Sequence, residues 1–481
     1  MQKGAVYLVG GGPGDIGLIT VRGLEALQQA DVIVYDRLVD DGLLSGARRD
    51  AELIYVGKSS GDHTIEQSEI NRILIEKAKQ GKSVVRLKGG DPFVLGRGGE
   101  EAEALIDNKI PFEVIPGVTS AVAVPAYAGI PVTHRSLASS FAVVTGHEDP
   151  FKGNSSVSWA RLAASVDTLV CLMGMGNLDK IVAELIKGGK SPDTPIALVQ
   201  HGTTSRQSTL VGTLATIVEK AKSAKFAPPV VIIIGDVVNR HEKLSWFESR
   251  PLFGKRMLVT RARSQAGALS RMLSERGAAA VELPVIEIKD MADTAELDGA
   301  IAKLNDYRWV LFTSVNGVDA FWKRMRAMGR DARWFANTKI GAIGPATAER
   351  LQGLGIYPDF ISRDFTSESM LKGLAELGIA GCRVLLPRAD IAPKELSEGL
   401  TRLGAEPVEV AAYRTAAPEA TASQGKRMLL SGEVDIITFA SSSTVTNLVA
   451  LLHGDVAAIN NAKVVCIGPA TASAAETAGI R

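Results

Sequence analysis

The sequence predicts an α/β protein made of two unlike halves, each built on parallel sheets. Short apolar segments alternate with segments of helical spacing from the first residues onward, which is typical of parallel sheets flanked by helices. Glycine-rich loops follow several apolar segments, at the place where open α/β sheets bind small molecules. From Arg256 onward the sequence pattern changes, and the same order of strands and helices occurs twice.

The composition is that of an ordinary soluble protein, and it excludes several classes of partner. The 481 residues are enough for roughly three or four domains of about 100–150 residues each. A net charge of +1 leaves no electrostatic footprint for nucleic acid or an anionic membrane. The longest apolar runs, such as Val230–Ile234, are too short to span a bilayer. We therefore expect no nucleic acid and no membrane as partners.

The cysteines and histidines bear on the compartment and on metals. Cys171, Cys382 and Cys466 are far apart in apolar segments, so we expect buried thiols in a reducing compartment. The six histidines form no cluster with metal spacing, and no metal site is predicted. The N-terminus lacks an apolar stretch of signal-peptide length. These features predict a cytoplasmic protein.

Strands and helices alternate through the first half, which predicts a parallel sheet, and a second α/β unit follows it. The best candidate for a linker after this unit is Pro251–Lys255. The predicted strands are Ala5–Gly10, Asp31–Tyr35, Leu53–Val56, Val84–Leu87, Phe141–Gly146, Thr168–Met173, Pro195–Val199 and Pro229–Ile234; the predicted helices are Thr20–Gln29, one within His63–Gly81, Glu100–Asn108 and Ala121–Ala128.

The first glycine loop leaves two classes of ligand open. Gly12–Gly17 fits the dinucleotide fingerprint, and Asp36 lies near the position of the ribose-binding acid, so a nicotinamide oxidoreductase is one alternative. Pro13 argues against it, because it removes an amide donor from the middle of the loop. Asp15 would also place a negative charge beside a pyrophosphate. A neutral or cationic nucleoside ligand fits this loop better.

A second glycine loop is the strongest candidate site. The apolar strand Val84–Leu87 is followed by Lys88 and then by Gly89-Gly90-Asp91. Two glycines let the backbone turn tightly and approach a ligand without an intervening Cβ. A charged segment, Gly96–Glu101, follows closely, and folding alone does not require it. The pattern predicts a small-molecule site, with a plain tight turn as the alternative.

Charged and polarisable side chains follow several strand ends in this half. Loop arginines of this kind suit a polyanionic substrate through bidentate pairing, while solvated surface cations are the alternative. Asp36 and Glu100 are carboxylates in the same region, able to move protons if their environment is tuned. Met173 at a strand end could pack on a purine or belong to the core. The cations in question are Arg37, Lys58, Arg97 and Arg135.

The second half carries an internal repeat. Ile343–Ala348 and Ile467–Ala472 are identical over six residues, and Phe312–Val315 resembles Phe439–Ser442. The offset is 127 residues from Phe312 to Phe439, and a strand end at Arg261 recurs at Arg388 with the same offset; Gly344 and Gly468 are 124 residues apart. The first copy continues through Tyr357–Gly381, whereas the second stops at Arg481. We therefore expect a final strand-and-helix segment to be missing.

The repeated strand ends offer hydroxyl groups and glycine amides instead of acid–base groups. Such neutral donors are suited to carboxylates or phosphates in a cleft between two lobes. The alternative is that Thr347 and Thr471 satisfy the backbone of their own helices. The hydroxyl residues are Ser314, Thr347, Ser441, Ser442 and Thr471, and Tyr413-Arg414-Thr415 is expected in a hinge or cleft.

Across about residues 3–247 the chain resembles uroporphyrinogen-III C-methyltransferase. That family is two-lobed and dimeric, uses S-adenosyl-L-methionine, and methylates two pyrrole carbons of uroporphyrinogen III, giving precorrin-2 for sirohaem and cobalamin. The resemblance implies lobes at about 1–116 and 117–250, and a homodimer through this half. The motifs are GGGPGD at Gly10–Asp15, YDRLV at Tyr35–Val39, Gly57-Lys58, RLKGGDPFVLGRGGEE at Arg86–Glu101, PGVTSA at Pro116–Ala121, GIPVTHR at Gly129–Arg135, Thr145–His147 and Met173-Gly174.

The resemblance also implies roles for individual residues. It assigns Asp36 as proton acceptor and Lys58 as proton donor. It places Arg37, Arg97, Glu100, Arg135 and His147 around the macrocycle, Arg97, Glu100 and Arg135 being grouped with the catalytic residues. The S-adenosyl-L-methionine site would be lined by Pro13, Gly89, Gly90, Asp91, Val94, Thr119, Ser120, Met173 and Gly202.

Across about residues 254–481 the chain resembles uroporphyrinogen-III synthase. That family cyclises hydroxymethylbilane with loss of water and inversion of one ring, and it needs no cofactor. Its two lobes exchange segments, so one lobe would be about 254–288 plus 415–481 and the other about 289–414. The implied substrate contacts are Thr347, Tyr413 and Thr471. Ser314 and Ser441 are further candidate substrate contacts because they are hydroxyl groups at the repeated strand ends. The motifs are VTRARSQ at Val259–Gln265, FTSVNGV at Phe312–Val318, both IGPATA segments and Tyr413-Arg414-Thr415.

The two resemblances reinforce each other, since the product of the second half is the substrate of the first. They predict a bifunctional enzyme that makes uroporphyrinogen III and then dimethylates it. The alternative is a methyltransferase whose second half is a non-catalytic tetrapyrrole-binding module.

Overall fold

The structure, a computed structural model, describes residues 1–48, 50–57, 66–147, 157–260, 263–416 and 424–481. The chain divides into two compact units. Unit one comprises Met1–Lys255 with Leu273–Ala279, and unit two comprises Arg256–Met272 with Ala280–Arg481.

Unit one contains two sheets with helices packed on them. Its described strands are β1 (Val6–Gly10), β2 (Val32–Tyr35), β3 (Glu52–Tyr55), β4 (Val84–Lys88), β5 (Phe112–Ile115), β6 (Phe141–Thr145), β7 (Thr168–Leu172), β8 (Pro195–Gln200), β9 (Ser208–Thr213) and β10 (Val230–Ile234). Its described α-helices are α1 (Val21–Gln29), α2 (Asp41–Leu44), α3 (Gln67–Lys79), α4 (Gly98–Asp107), α5 (Ser120–Tyr127), α6 (Trp159–Ser165), α7 (Leu178–Lys187), α8 (Ile217–Ser223) and α9 (His241–Leu244).

The first sheet is parallel throughout, in the order β3-β2-β4-β1-β5. Strand β4 lies at its centre, and all five of its residues are buried. Val85 and Leu87 pack into the apolar core on one face, and Val84 packs into the core on the other. Because side chains alternate along a strand, Arg86 and Lys88 share the face of Val84. The carboxyl ends of these parallel strands meet at one edge of the sheet.

The second sheet, in the order β6-β7-β10-β8-β9, is mixed, which differs from the parallel sheet that alternation predicts. Strands β6 and β7 are parallel, but β10 runs antiparallel to both β7 and β8, and β9 runs antiparallel to β8. A short connection, residues 201–207, joins β8 to β9, and antiparallel neighbours allow such short connections. The carboxyl ends of β6, β7 and β8 still lie at one edge.

Unit two also contains two sheets. Its described strands are β11 (Arg256–Val259), β12 (Ala279–Glu282), β13 (Glu287–Asp290), β14 (Trp309–Phe312), β15 (Lys339–Ala342), β16 (Phe360–Ile361), β17 (Arg383–Ala389), β18 (Glu406–Ala416), β19 (Ile436–Phe439) and β20 (Lys463–Cys466). Its described α-helices are α10 (Arg263–Glu275), α11 (Ala295–Ala302), α12 (Val315–Ala327), α13 (Pro345–Gln352), α14 (Ser367–Glu376), α15 (Glu395–Arg402), α16 (Gln424–Leu430), α17 (Ser442–Leu451), α18 (Ala457–Asn460) and α19 (Pro469–Thr477).

The sheets of unit two reproduce the internal repeat. One sheet has the order β12-β11-β19-β20, and the other contains the matching order β18-β17-β14-β15, with β13 and β16 added at its edges. Trp309 and Ile436 begin the equivalent strands β14 and β19, 127 residues apart in the sequence. Each sheet thus combines strands from separate parts of the chain. The α/β class, the parallel-rich sheets and the segment exchange are confirmed.

Three further observations concern membrane-spanning helices, metal sites and cysteine thiols. Within the described ranges no helix is long and apolar enough to cross a membrane. The described residues contain no group of three or more His, Cys, Asp or Glu side chains arranged to hold a metal ion. Cys171 is a buried free thiol, and burial raises its pKa to about 12. Cys382 and Cys466 are free thiols of intermediate exposure, so the prediction of buried thiols is confirmed for Cys171 and wrong for these two.

Candidate active site

Three glycines at neighbouring strand ends form the floor of the candidate site. Gly10 ends β1, Gly90 follows β4 and Gly117 follows β5, and a Cβ on Gly117 would lie 2.3 Å from the carbonyl oxygen of Gly90. A Cβ on Gly10 would lie 2.4 Å from the amide nitrogen of Gly117. The Gly90 amide donates to the carbonyl oxygen of Gly12 at 2.6 Å. Backbone therefore packs directly on backbone, and we call Gly10, Gly90 and Gly117 the glycine floor.

The loops around the glycine floor are held by Asp91. Its carboxylate accepts from the amide of Phe93 at 2.8 Å and from the amide of Gly117 at 3.0 Å, so it ties the loop after β4 to the loop after β5. Above Gly90, whose φ is +70°, a Cβ would meet nothing nearer than the Ser120 amide at 3.7 Å. Thr119 caps α5 by accepting from the amide of Ala121. A Cβ on Gly90 would thus be in ordinary van der Waals contact with the start of α5.

The loop after β8 contacts the first glycine loop. A Cβ on Gly202 would lie 2.4 Å from a methyl of Val124, so only glycine fits there. The amide of Asp15 donates to Thr203 Oγ1 at 3.0 Å, and Tyr127 Oη donates to Asp15 Oδ2 at 2.8 Å. Asp15 therefore joins the first glycine loop to α5 through its carboxylate and to the loop after β8 through its amide. Pro13 lies in the same loop and is half-buried.

We expect Tyr127→Phe to destabilise unit one by about 1–2 kcal/mol at neutral pH, because Asp15 Oδ2 loses its donor. Burial, and then the hydrogen bond to Asp15, raise the pKa of Tyr127 above its ordinary value of 10.0. Above about pH 10 the unfolded chain loses this proton while the native state keeps it, so wild-type stability falls there and the deficit of the variant shrinks. Urea unfolding at neutral and alkaline pH measures both effects; an equal deficit at both would contradict the assignment.

Four charged side chains lie close together near the carboxyl ends of β2 and β4. Arg86 Nη2 donates to Asp36 Oδ2 at 3.0 Å, and Arg86 Nε donates to Glu101 Oε1 at 3.1 Å. Lys88 Nζ lies 2.8 Å from the same oxygen of Glu101. Burial, followed by the nearby charge of Arg86, lowers the pKa of Lys88. The predicted proton acceptor Asp36 is therefore one end of a chain of ion pairs.

The other predicted macrocycle contacts within the described residues are exposed. Arg97 Nε and Nη2 donate to the two carboxylate oxygens of Glu100 at 2.9 and 2.6 Å, so these residues form a bidentate pair. Arg37, Arg135 and His147 are exposed in loops that follow strands or a helix. Lys58 lies outside the described residues, and its role as proton donor stays a prediction.

Loops that follow strands of both sheets of unit one also carry backbone strain. Positive φ angles occur at Leu95 (53°), Arg97 (58°), Met173 (58°), His201 (48°) and Thr203 (66°), none of which is glycine. Such conformations cost free energy and cluster at ligand sites. Met173 is 52% exposed and follows β7, so it does not belong to the core. Val94 and Leu95 are exposed apolar side chains of the loop after β4.

In unit two the predicted hydroxyl residues lie at the starts of helices. Ser314 caps α12 and its Oγ lies 3.1 Å from Tyr413 Oη, and Ser441 caps α17 in a reciprocal capping box with Thr444. Ser442 Oγ donates to the carbonyl oxygen of Ala470 at 3.1 Å. The structure therefore brings together Ser314 and Tyr413, which are 99 residues apart in the sequence.

Thr347 and Thr471 occupy equivalent positions in the first turns of α13 and α19. Each is only 4% exposed. Their helices begin after Gly344 and Gly468, which adopt extended backbone conformations without a side-chain cap. These two threonines are buried, and their assignment as substrate contacts stays a prediction.

Sequence reasoning missed Arg86, Lys88 and Glu101 as functional candidates. One signal was present: two basic residues at alternate positions of an otherwise apolar strand share one face, and a central strand has no solvent on either face. Buried cations need a buried anion. The acidic pair Glu100-Glu101 at the start of the next helix supplies it, with Glu100 pointing to solvent and Glu101 fully buried.

Comparison with known proteins covers both halves of the chain. Residues 5–218 match the family Tetrapyrrole (Corrin/Porphyrin) Methylases, and residues 267–481 match Uroporphyrinogen-III synthase HemD. Porphyrin biosynthesis protein HemD of Ruminiclostridium josui is 42% identical over 481 residues, 100% of this chain and 95% of that protein. The S-adenosyl-L-methionine-dependent uroporphyrinogen III methyltransferase of Methanosarcina barkeri is 52% identical over 241 residues, 50% of this chain and 94% of that protein.

Among solved structures, uroporphyrin-III C-methyl transferase from Thermus thermophilus complexed with S-adenyl homocysteine is 40% identical. The match covers 49% of this chain and 93% of that chain, with a TM-score of 0.42.

The α/β fold and the two matched segments define the class of protein: an enzyme of tetrapyrrole biosynthesis with two fused domains. The chain belongs to the family of the full-length relative, and it carries a uroporphyrinogen-III C-methyltransferase domain followed by a uroporphyrinogen-III synthase domain. Both resemblances seen in the sequence are confirmed. This membership excludes the nicotinamide oxidoreductase as the class of enzyme.

Proposed function

We propose that residues 256–481 cyclise hydroxymethylbilane to uroporphyrinogen III, and that residues 1–250 then transfer two methyl groups from S-adenosyl-L-methionine to it, giving precorrin-2 for sirohaem or cobalamin. Residues 251–255 would form the linker. The observation that carries the proposal is the glycine floor lying beside the ion-paired Asp36 at one edge of the first sheet. We include in the proposal a cytoplasmic homodimer formed through residues 1–250.

The glycine floor suits a nucleoside cofactor, because glycines at strand ends let a ligand approach the backbone without an intervening Cβ. A Cβ on Gly90 would project toward Thr119 and Ser120 and would lie 3.7 Å from the Ser120 amide, so glycine leaves a methyl-sized gap beside the start of α5. When bound, S-adenosyl-L-methionine supplies a sulfonium methyl that is already a strong electrophile, so the protein mainly has to orient it. The residues that would hold it are Pro13, Gly89, Gly90, Asp91, Val94, Thr119, Ser120, Met173 and Gly202.

The exposed cations suit a macrocycle fringed with carboxylates. Arg97 presents a planar fork that matches a carboxylate, as its bidentate pair with Glu100 illustrates. A substrate carboxylate would share Arg97 with Glu100 or replace it. Arg37, Arg135 and His147 would contact further carboxylates of the ring. Asp36 would accept the proton that leaves the methylated carbon, and Lys58 would act as proton donor.

In the synthase half, repeated helix starts support binding of an acidic linear substrate. Ser314 and Ser441 stand at equivalent caps in the two copies, and Tyr413 adds a phenol beside Ser314. The burial of Thr347 and Thr471 favours a second candidate, in which this half binds a tetrapyrrole without catalysis. The two candidates differ in whether hydroxymethylbilane is cyclised.

Mass spectrometry of the reaction products tests the proposal. The full chain is incubated with hydroxymethylbilane and S-adenosyl-L-methionine, and we expect a macrocycle two methyl groups heavier than uroporphyrinogen III. Without S-adenosyl-L-methionine, the expected product is unmethylated uroporphyrinogen III. Methylation only of added uroporphyrinogen III would show a non-catalytic second half, and an unmethylated product in all cases from folded protein would contradict the proposal.

A further inference from the structure

Unit one buries charges where folding alone does not need them. Arg86 is 3% exposed, Lys88 is 5% exposed and Glu101 is fully buried. Removing ions from water costs free energy, and apolar residues of similar volume often give an equally stable core. The three residues nevertheless occupy the centre of the first sheet and the helix packed on it. This arrangement therefore calls for a role besides stability.

Arg86 connects two carboxylates that are far apart in the sequence. One edge of its guanidinium reaches Glu101 through Nε, and Nη2 reaches Asp36. Nη1 donates to the carbonyl oxygens of Leu87 at 3.1 Å and Val34 at 3.4 Å. Because the guanidinium is planar and rigid, these contacts fix the direction of the group that faces Asp36.

Glu101 is the anchor of this arrangement. Its Oε1 accepts from Arg86, from Lys88 and, at 3.2 Å, from Gln67 Nε2. Its Oε2 has no hydrogen-bond partner among the described residues and is shielded from solvent. A fully buried carboxylate with its bonds directed at one oxygen holds its donors in place but is out of reach of a ligand. Glu101 can therefore influence the site only through its neighbours.

Asp36 is the end of the chain of ion pairs that meets solvent. Its side chain is 26% exposed, Oδ2 accepts from Arg86, and Oδ1 accepts from the amide of Leu38 at 3.1 Å. One donor on each oxygen fixes the plane of the carboxylate. Each oxygen keeps a further lone pair. Asp36 directly follows β2, so it lies at the same edge of the first sheet as the glycine floor.

We propose that Glu101 is a positioning residue that, by holding Arg86, orients the Asp36 carboxylate for proton removal from the substrate. Lys88 balances the charge of Glu101 and keeps its Oε1 directed toward the strand. The inference rests on the proposed role of Asp36 as proton acceptor. It adds a function for a buried residue that contacts neither the substrate nor the cofactor.

The test compares variants of the full chain: Glu101→Gln, Asp36→Asn, their combination, and Glu103→Gln as an exposed control on the same helix. Methyl transfer from S-adenosyl-L-methionine to uroporphyrinogen III gives kcat and KM, and calorimetry with S-adenosylhomocysteine checks the fold. We expect Glu101→Gln to lower kcat by about 10- to 100-fold with KM and S-adenosylhomocysteine affinity unchanged, since misorientation of a reacting group has effects of this size. Glu103→Gln should match wild type.

The combination separates positioning from a general structural effect. If Glu101 acts through Asp36, adding Glu101→Gln to Asp36→Asn lowers kcat no further. The positioning role would be overturned if the two substitutions together lowered kcat by the product of their separate factors. Wild-type kcat in folded Glu101→Gln would overturn it as well. Full activity of Asp36→Asn would overturn the assignment of Asp36 and the positioning role with it. If Glu101→Gln does not fold, Arg86→Lys removes the planar fork, and wild-type kcat in that variant would overturn the inference.

Discussion

Replacing Asp36 by asparagine should lower kcat of methyl transfer to uroporphyrinogen III by about 10²- to 10⁴-fold, the contribution typical of a positioned acid or base. Asparagine has nearly the same shape, and its oxygen can still accept from Arg86 or from the Leu38 amide. It cannot take up a proton from the methylated carbon. S-adenosylhomocysteine should bind as in wild type, because the cofactor residues proposed above do not include Asp36.

Single-turnover methylation by the full chain measures this effect, and calorimetry with S-adenosylhomocysteine shows that the site is intact. Asp107→Asn provides a matched control, since Asp107 is exposed at the last residue of α4. Nine helical steps of about 1.5 Å place it roughly 13 Å along the axis from Gly98. Wild-type turnover by Asp36→Asn would show that another group removes the proton.

Local sequence features were enough to locate the first sheet and its loops. The apolar strand before Gly89-Gly90-Asp91 is β4, and Gly90 in the loop that follows has a positive φ. These features are local, because a run of apolar residues and a pair of glycines restrict the backbone wherever they occur. The internal repeat was equally visible, since identical segments fold into equivalent strands and helices.

Strand direction in the second sheet was not predictable from the same signals. Apolar runs such as β8 and β10 are buried on both faces whether their neighbours are parallel or antiparallel. Direction depends on the path of the connections, here including the short link from β8 to β9. Alternation of strands and helices is therefore evidence for an α/β class but not for the direction of each strand.

The ion pairs of Arg86 were also beyond sequence reasoning. Asp36 and Glu101 lie 50 and 15 residues from Arg86, and each is one of many acids in the chain. Only the packing of β2, β4 and α4 selects these two. The same holds for Asp15: its charge was recognised, but its bonds to Tyr127 and Thr203 depend on how the two sheets of unit one pack.

Substituting Gly117 by alanine should strongly destabilise unit one. Its Cβ would lie 2.3 Å from the carbonyl oxygen of Gly90 and 2.6 Å from Cα of Gly10. These are backbone atoms of neighbouring strand ends and cannot rotate away, so the loops after β1, β4 and β5 must separate. We expect a loss of about 3 kcal/mol in unfolding free energy, at the upper end for overpacked sites. S-adenosylhomocysteine affinity should fall with it, because the glycine floor is disrupted.

Gly99→Ala is the control that separates the effect of the steric contact at Gly117 from the effect of replacing a glycine by alanine. A Cβ on Gly99 meets no atom within 4 Å, and the residue lies in α4, where alanine is favoured over glycine by up to about 1 kcal/mol. Its stability should equal or exceed that of wild type. Calorimetric unfolding of both variants with and without S-adenosylhomocysteine makes the comparison. Gly117→Ala could instead unfold at the same temperature as Gly99→Ala and bind S-adenosylhomocysteine with the same affinity. That result would mean that the three strand ends do not meet as closely as the glycine floor requires.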